Sequence, residues 1–328
     1  MISSQAADTF RSISETERGE RARRAAAGAL VLAAAERRLA GAPDEFTLRR
    51  ARREVESLEK SAEKSILLRV LAVLDDAGLP DARLAKPLVG YACELERTRR
   101  LPEADAAVSL ALVVEGGNAA TALHAARLAR KLGERERALA LYCAARDLDH
   151  GSGPIARLAE VGEAVVSADA ERGLSRAVRR ALRAGDAEAA AVGLEERAAV
   201  RRAAGDRKGA VRDLCLAALR YTDPVDRARV SHELAGATLA MGDAGAAREA
   251  LLAALSWGDA PQKDHARVRL HTLSRDVGDQ VGMRRWRSFT RPSLVSLSAY
   301  RPAPAATSIA PRLNRWREAL GERAEATA

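Results

Sequence analysis

Leu48, Ala51, Val55, Leu58, Ala62 and Ile66 follow one another in steps of three and four, which sets them in one stripe along a helix. Asp44, just ahead of them, is a residue type that caps helix N-termini, so the spacing predicts a single long helix from that point. An earlier helix is expected from about Glu15 to Leu39, closed by Gly41-Ala42-Pro43, and Asp75-Asp76-Ala77-Gly78-Leu79-Pro80 ends the region. The stripe needs cover. Three surfaces fit it: the helix before it, the first hairpin after it, or a second copy of the chain in a dimer held by these N-terminal helices.

Beyond residue 80 the pattern becomes periodic. Pro and Gly turns divide residues 87–290 into twelve helices, predicted as six pairs: 87–100 with 102–115, 118–132 with 135–148, 154–168 with 170–184, 187–203 with 207–220, 225–241 with 244–257, and 261–277 with 280–290. The first helices start about 35 residues apart on average. The turns Gly133-Glu134, Gly205-Asp206, Gly242-Asp243 and Gly278-Asp279 act as a ruler. Five residues past the first three glycines stand Ala138, Ala210 and Ala247; nine past, Tyr142, Leu214 and Leu251; twelve past, Ala145, Ala217 and Ala254. Seven before them stand Ala126, Ala198 and Ala235. Alanine lets two helices approach closely, and the larger residue fills the gap between neighbours.

This pattern resembles the tetratricopeptide repeats over about 200 of the residues. Pairs two, four and five match well. Pair one lacks the turn glycine; counted from Leu101 it has Ala106 and Leu110 in place but Glu94 where a small residue belongs. Pair three has no clean register, and pair six carries His271, Met283 and Arg287 at the diagnostic places, as a capping repeat does. The resemblance implies an all-α, right-handed α-solenoid of about six helical hairpins over 87–290, after an N-terminal helical region (1–80). A Pro, Ser and Ala linker (291–310) and a short amphipathic helix (311–328), on which Leu313, Trp316 and Leu320 share a face, form a disordered basic tail.

Composition sharpens this reading. Only 3% of residues are aromatic while 47% are hydrophobic, so Ala, Leu and Val must build the interior, as close-packed helices allow. Of the net charge of +9, residues 281–328 hold nine arginines and three glutamates, leaving +3 for the other 280. The high pI is therefore weak evidence that the body binds nucleic acid. Cys93, Cys143 and Cys215 each lie in an apolar helical stretch, which predicts buried free thiols and a reducing, cytoplasmic setting. Arg23-Arg24 before the apolar run Ala25–Ala35 looks like a twin-arginine export signal, but charged Glu36-Arg37-Arg38 continues the helical pattern without a break. A run of 11 is too short to span a bilayer, which takes ~20 residues.

No catalytic signature appears. Histidines 124, 150, 232, 265 and 271 lack metal spacing, no Gly-rich phosphate loop follows a strand, and most carboxylates lie three or four residues from an arginine, where solvated ion pairs are the default. Neither an enzyme, a cofactor nor a metal site is expected. The resemblance implies instead that first helices line a partner groove, at Leu123, Arg127 and Arg130; Val192, Glu195, Ala199 and Arg202; Arg229, His232, Gly236 and Leu239; and His265, Val268, Thr272 and Arg275. Five arginines and two histidines face one glutamate there, which suits an acidic peptide or helix of another protein, because a guanidinium binds a carboxylate bidentately. The competing expectation is that these arginines pair with glutamates of the next hairpin. A second function of another class rests on Arg284, Arg285, Trp286 and Arg287 with the tail residues Leu313, Trp316 and Leu320: arginine with interleaved tryptophan binds RNA or an anionic surface. Trp286 closing the last hairpin is the structural alternative.

Overall fold

The computed structural model describes residues 19–76 and 80–287; the linker and tail helix, with Leu313, Trp316 and Leu320, lie outside them. Among the described residues there are fifteen α-helices, one short 3-10 turn (Asp81–Leu84) and no strand, so the fold is all-α. The chain divides into two compact units, Met1–Val166 and Ser167–Ala328, a boundary that falls between the helices expected to form the third pair.

The first unit holds α1 (Glu20–Leu39), α2 (Glu45–Ser57), α3 (Ala62–Asp75), α4 (Ala85–Arg97), α5 (Leu101–Glu115), α6 (Ala119–Lys131), α7 (Arg135–Leu148) and α8 (Pro154–Val166). Successive helices pack against each other, and α8 touches both α7 and α6. The apolar run that resembles a signal segment is the buried face of α1, through Ala25, Ala27, Val31, Leu32, Ala34 and Ala35. Among the described residues, no helix is long and apolar enough to cross a membrane.

One long helix after Asp44 was expected; two form. Asp44 caps α2 as anticipated, accepting from the Phe46 amide at 3.0 Å. The helix stops at Ser57 because Ser61 starts a new one, its hydroxyl accepting from the Lys64 amide, while the Lys64 ammonium donates to the freed carbonyls of Glu56 and Leu58 at 2.6 and 2.7 Å. The stripe therefore ends at Leu58. Ala51, Val55 and Leu58 are buried within the unit, α2 packing on α1, whereas Ala62 is exposed and Leu67 turns inward in its place.

The second unit holds α9 (Ala170–Arg183), α10 (Ala187–Ala203), α11 (Arg207–Arg220), α12 (Pro224–Leu239), α13 (Ala244–Trp257), α14 (Ala260–Asp276) and α15 (Gln280–Arg287), each packed on its chain neighbour. Its core runs from Val178 through Leu194, Leu214, Leu234 and Leu251 to Leu270 and Trp286.

The recurring turn has one geometry throughout. Each glycine is left-handed (Gly133 φ 82°, Gly205 φ 86°, Gly242 φ 82°, Gly278 φ 71°) and the next amide reaches back five residues, as from Asp206 to the Arg201 carbonyl at 2.9 Å. That bond satisfies an orphan carbonyl at the end of the helix. The aspartate then caps the following helix: Asp206, Asp243 and Asp279 accept from Gly209, Ala246 and Gly282 amides at 2.8, 2.8 and 2.9 Å. The diagnostic residues at Gly133, Gly205 and Gly242 are all buried: Ala126, Ala138, Tyr142 and Ala145, with their counterparts around the other two turns.

Pair one needs a correction. Its turn has the same bonds, with Arg99 (φ 62°) in the glycine place and the Arg100 amide on the Leu95 carbonyl at 2.8 Å. Counted from Arg99 rather than Leu101, the ruler falls on Ala92, Ala104, Val108 and Ala111, all fully buried. The shift went unread because a left-handed arginine leaves no cue in the sequence. Gly185-Asp186 forms the same turn between α9 and α10, so the turn also occurs where the pairing placed a boundary between hairpins.

Candidate functional site

The groove set does not present one uniform cationic face. Arg229 on α12 is held by Glu195 on α10: its guanidinium donates twice to that carboxylate, at 2.8 Å through Nη2 and more closely through Nη1, and the Tyr221 hydroxyl donates to the same carboxylate at 2.6 Å. Glu195 raises the Arg229 pKa and, with burial as the larger cause, that of Tyr221. This is the pairing across hairpins that competed with the open-groove expectation, and it takes Arg229 and Glu195 out of the set of free ligands.

His232 is also engaged internally. Its Nε2 donates to the Gln262 carbonyl at 3.1 Å, its ring stacks on His265 at 4.7 Å between centroids, and its Nδ1 is enclosed without a partner. Burial pushes its pKa down, and the neighbouring His265 and Arg269 push the same way. Its ring is thereby biased toward the neutral form, which makes it a poor anion ligand. His265 is exposed above it. Leu123 is buried in the core around Tyr142, so it belongs to the interior and not to a groove.

The remaining set is exposed or half-exposed. Arg202 is exposed on α10 with no hydrogen bond among the described residues, but its charge acts on Glu233 of α12 and favours that carboxylate's ionised form; Arg127 on α6 is half-buried and has no ion pair among the described residues. Arg130 is half-buried, and Arg275 is exposed with its neighbour Asp276 at 3.1 Å. At the end of the second unit Trp286 is only 4% exposed and closes the core, so it is no surface anchor. Arg284 and Arg285 are exposed, the Arg285 guanidinium lying 5.0 Å from the Trp286 ring centroid.

The expectation of local, solvated ion pairs fails at several places where charge links separate helices. Arg197 clamps the fully buried Asp213 bidentately at 2.7 and 2.8 Å, and Arg201 adds a bond at 3.0 Å. Arg137 reaches Asp105 at 2.7 Å, and Arg146 reaches Glu163 at 2.7 Å. Glu96 on α4 accepts from His124 at 3.0 Å and from Lys131, both on α6, and these bonds lower its pKa to about 2. In the first unit a buried network joins Glu63, Tyr91, Arg100 and Glu103: Arg100 donates to Glu63 at 2.8 Å and to Glu103 at 3.0 Å, and Tyr91 donates to Glu63 at 3.2 Å. Spacing along a helix carries no signal for pairs set 12 to 37 residues apart. Of the cysteines only Cys215 is buried; Cys143 is half-buried and Cys93 exposed, against expectation.

One surface was missed altogether. Helix α9 carries Arg172, Arg176, Arg179 and Arg183 at the i, i+4, i+7 and i+11 places, all exposed and on one face. The sequence signal was present in the strong segregation of its apolar residues Leu174, Ala177, Val178 and Ala181 to the opposite, buried face.

No protein-family model matches the chain, and no curated protein matches it. Among solved structures it is similar to the crystal structure of BtubC (BKLC) from P. vanneervenii, at 17% identity over 93% of each chain, with a TM-score of 0.26. A likeness at that level carries no argument about fold or function.

Proposed function

We propose that this chain is a non-catalytic, cytoplasmic protein-interaction scaffold of the tetratricopeptide kind, and that its partner presents an acidic peptide or helix. The reading is supported by one observation above the rest. The small and large residues of the repeat pattern are consumed in helix-to-helix contacts, while Arg202 and Arg275 stay exposed on the outward side of α10 and α14. A stack of hairpins buries its core between neighbours and leaves a long surface for a partner.

The test uses the full chain as bait, followed by titration of the identified partner. Reversing Arg202 and Arg275 to Glu is expected to weaken that partner at least tenfold and to remove most of its salt dependence. Arg229 is left intact because reversing it would break the Glu195 clamp. Unchanged affinity in a folded double variant overturns the groove reading.

A further inference from the structure

We infer that the arginine stripe on α9 is a docking surface for an acidic amphipathic helix of another protein. This rests on the scaffold reading and names a surface and a ligand geometry within it, on a helix that carries none of the groove positions.

Charge is the first argument. Helix α9 has five arginines and one glutamate in 14 residues, a net of +4. The first 280 residues together sum to +3, so this one helix accounts for more than their whole excess. The nearby carboxylates are already engaged. Glu171 accepts from Arg201 at 2.9 Å, buried Asp213 is clamped by Arg197 and Arg201, and Asp169 faces Arg172 at 3.5 Å. Arg176, Arg179 and Arg183 have no ion pair among the described residues. Like charges at this spacing along a helix repel, so the stripe weakens α9 itself and is relieved by an anionic partner.

The helix is also held still. The Ser175 hydroxyl, beside the stripe, accepts from Arg197 at 3.1 Å, and Leu174, Ala177, Val178 and Ala181 are buried beneath it. A helix backbone fixed in this way loses less entropy on docking than a loop carrying the same arginines.

Geometry selects the occupant. Eleven residues of helix place the outer arginines about 16 Å apart, in steps of about 6, 4.5 and 6 Å. A second helix with Glu or Asp at the same four places matches every step. An extended peptide advances about 6.8 Å per side chain on one face and runs to about 20 Å over the same four, losing register. Leu182, 42% exposed on the flank of the stripe, offers the apolar contact an amphipathic helix needs. Nucleic acid fits less well: α9 bears no aromatic side chain for stacking, and Asp169 and Glu171 stand at one end of the path a polyanion would follow. The segment 281–328 carries a net +6, the same sign as the stripe, so its charge does not complement it.

The probe is a labelled helical peptide with Glu at i, i+4, i+7 and i+11 and Leu on the adjoining face, titrated against the full chain. Its controls are an isomer with the same residues scattered around the helix and an oligouridylate of equal charge. The ladder peptide is expected to bind at least fivefold more tightly than the isomer. Reversing Arg176, Arg179 and Arg183 to Glu is expected to lower its affinity at least tenfold with an unchanged circular dichroism spectrum, and the milder triple change to Gln to fall between. Equal binding of ladder and isomer, no effect of either triple variant, or tighter binding of the oligouridylate through the same arginines each overturns the proposal. If the captured partner responds to Arg202 and Arg275 but not to these three, this surface falls and the scaffold stands. If it responds to neither set, both fall.

Discussion

Single side chains decide how this protein answers to pH. His232 has a folded-state pKa below the 6.5 of free imidazole because burial, His265 and Arg269 all disfavour its charged form, against the one favourable bond to the Gln262 carbonyl. The unfolded chain then binds the proton more tightly than the folded one. Stability is unaffected by this group above pH 6.5 and declines as pH falls from there through the lowered folded pKa. Glu96 has the opposite sense of preference with the same direction of loss: its folded pKa drops from 4.5 to about 2, so its contribution is complete above pH 4.5 and disappears as pH approaches 2. Urea midpoints should therefore fall less between pH 7 and 5 in His232→Gln than in the wild type, and less between pH 4.5 and 2.5 in Glu96→Gln. A wild-type-to-variant difference that stays constant over those ranges refutes the assignments. Neither residue's situation was legible beforehand. His232 was placed on the correct helix, but burial and stacking depend on where α14 passes, which no local spacing encodes.

At the level of helices and turns, legibility was high wherever glycine marks the left-handed turn residue. Each Gly-Asp turn predicted from the sequence does end one helix, and its aspartate caps the next, a role the spacing alone had not assigned. The reading slipped where another residue fills the role, at Arg99, and where a serine starts a helix inside an apolar stripe, at Ser61. Arg99 pays a left-handed penalty of about 1–2 kcal/mol that glycine avoids, offset in part by the greater freedom of glycine in the unfolded chain. Arg99→Gly should raise stability by about 0.5–1 kcal/mol in chemical denaturation. Glu134 supplies a second case. Its backbone (φ −80°, ψ 70°) nearly matches that of Asp206 (φ −77°, ψ 77°), yet its longer side chain makes no cap bond and turns to Arg137 instead. Shortening it in Glu134→Asp should add a cap worth about 1 kcal/mol, less the exposed ion pair lost, while Asp206→Glu should cost about the same amount. Equal midpoints for all three variants and the wild type would contradict this account of the turn.

For the whole molecule, the alanine-rich composition and the period near 35 residues made an all-α helical array legible, because both follow from how helices pack at close range. The division at Val166 and Ser167 was not legible, since the sequence paired the helices on either side of it. Charge was misread at this scale too. A near-neutral total for the first 280 residues hid the +4 of α9, because mixed surfaces cancel in a sum and only the three-dimensional face separates them. The cores around Tyr91 and Tyr142 lie in the first unit and the core around Leu234 in the second. In a chain of neighbour-to-neighbour contacts, stability is roughly a sum of local terms, so damage stays near its origin. Leu234 is fully buried. Leu234→Ala should remove about 2–5 kcal/mol locally. In hydrogen exchange, the loss of protection should then be concentrated in α11 to α14, with amides of α4 and α5 exchanging at wild-type rates. A uniform acceleration across both units would show that the chain opens as one cooperative body, and the local-sum description would fail.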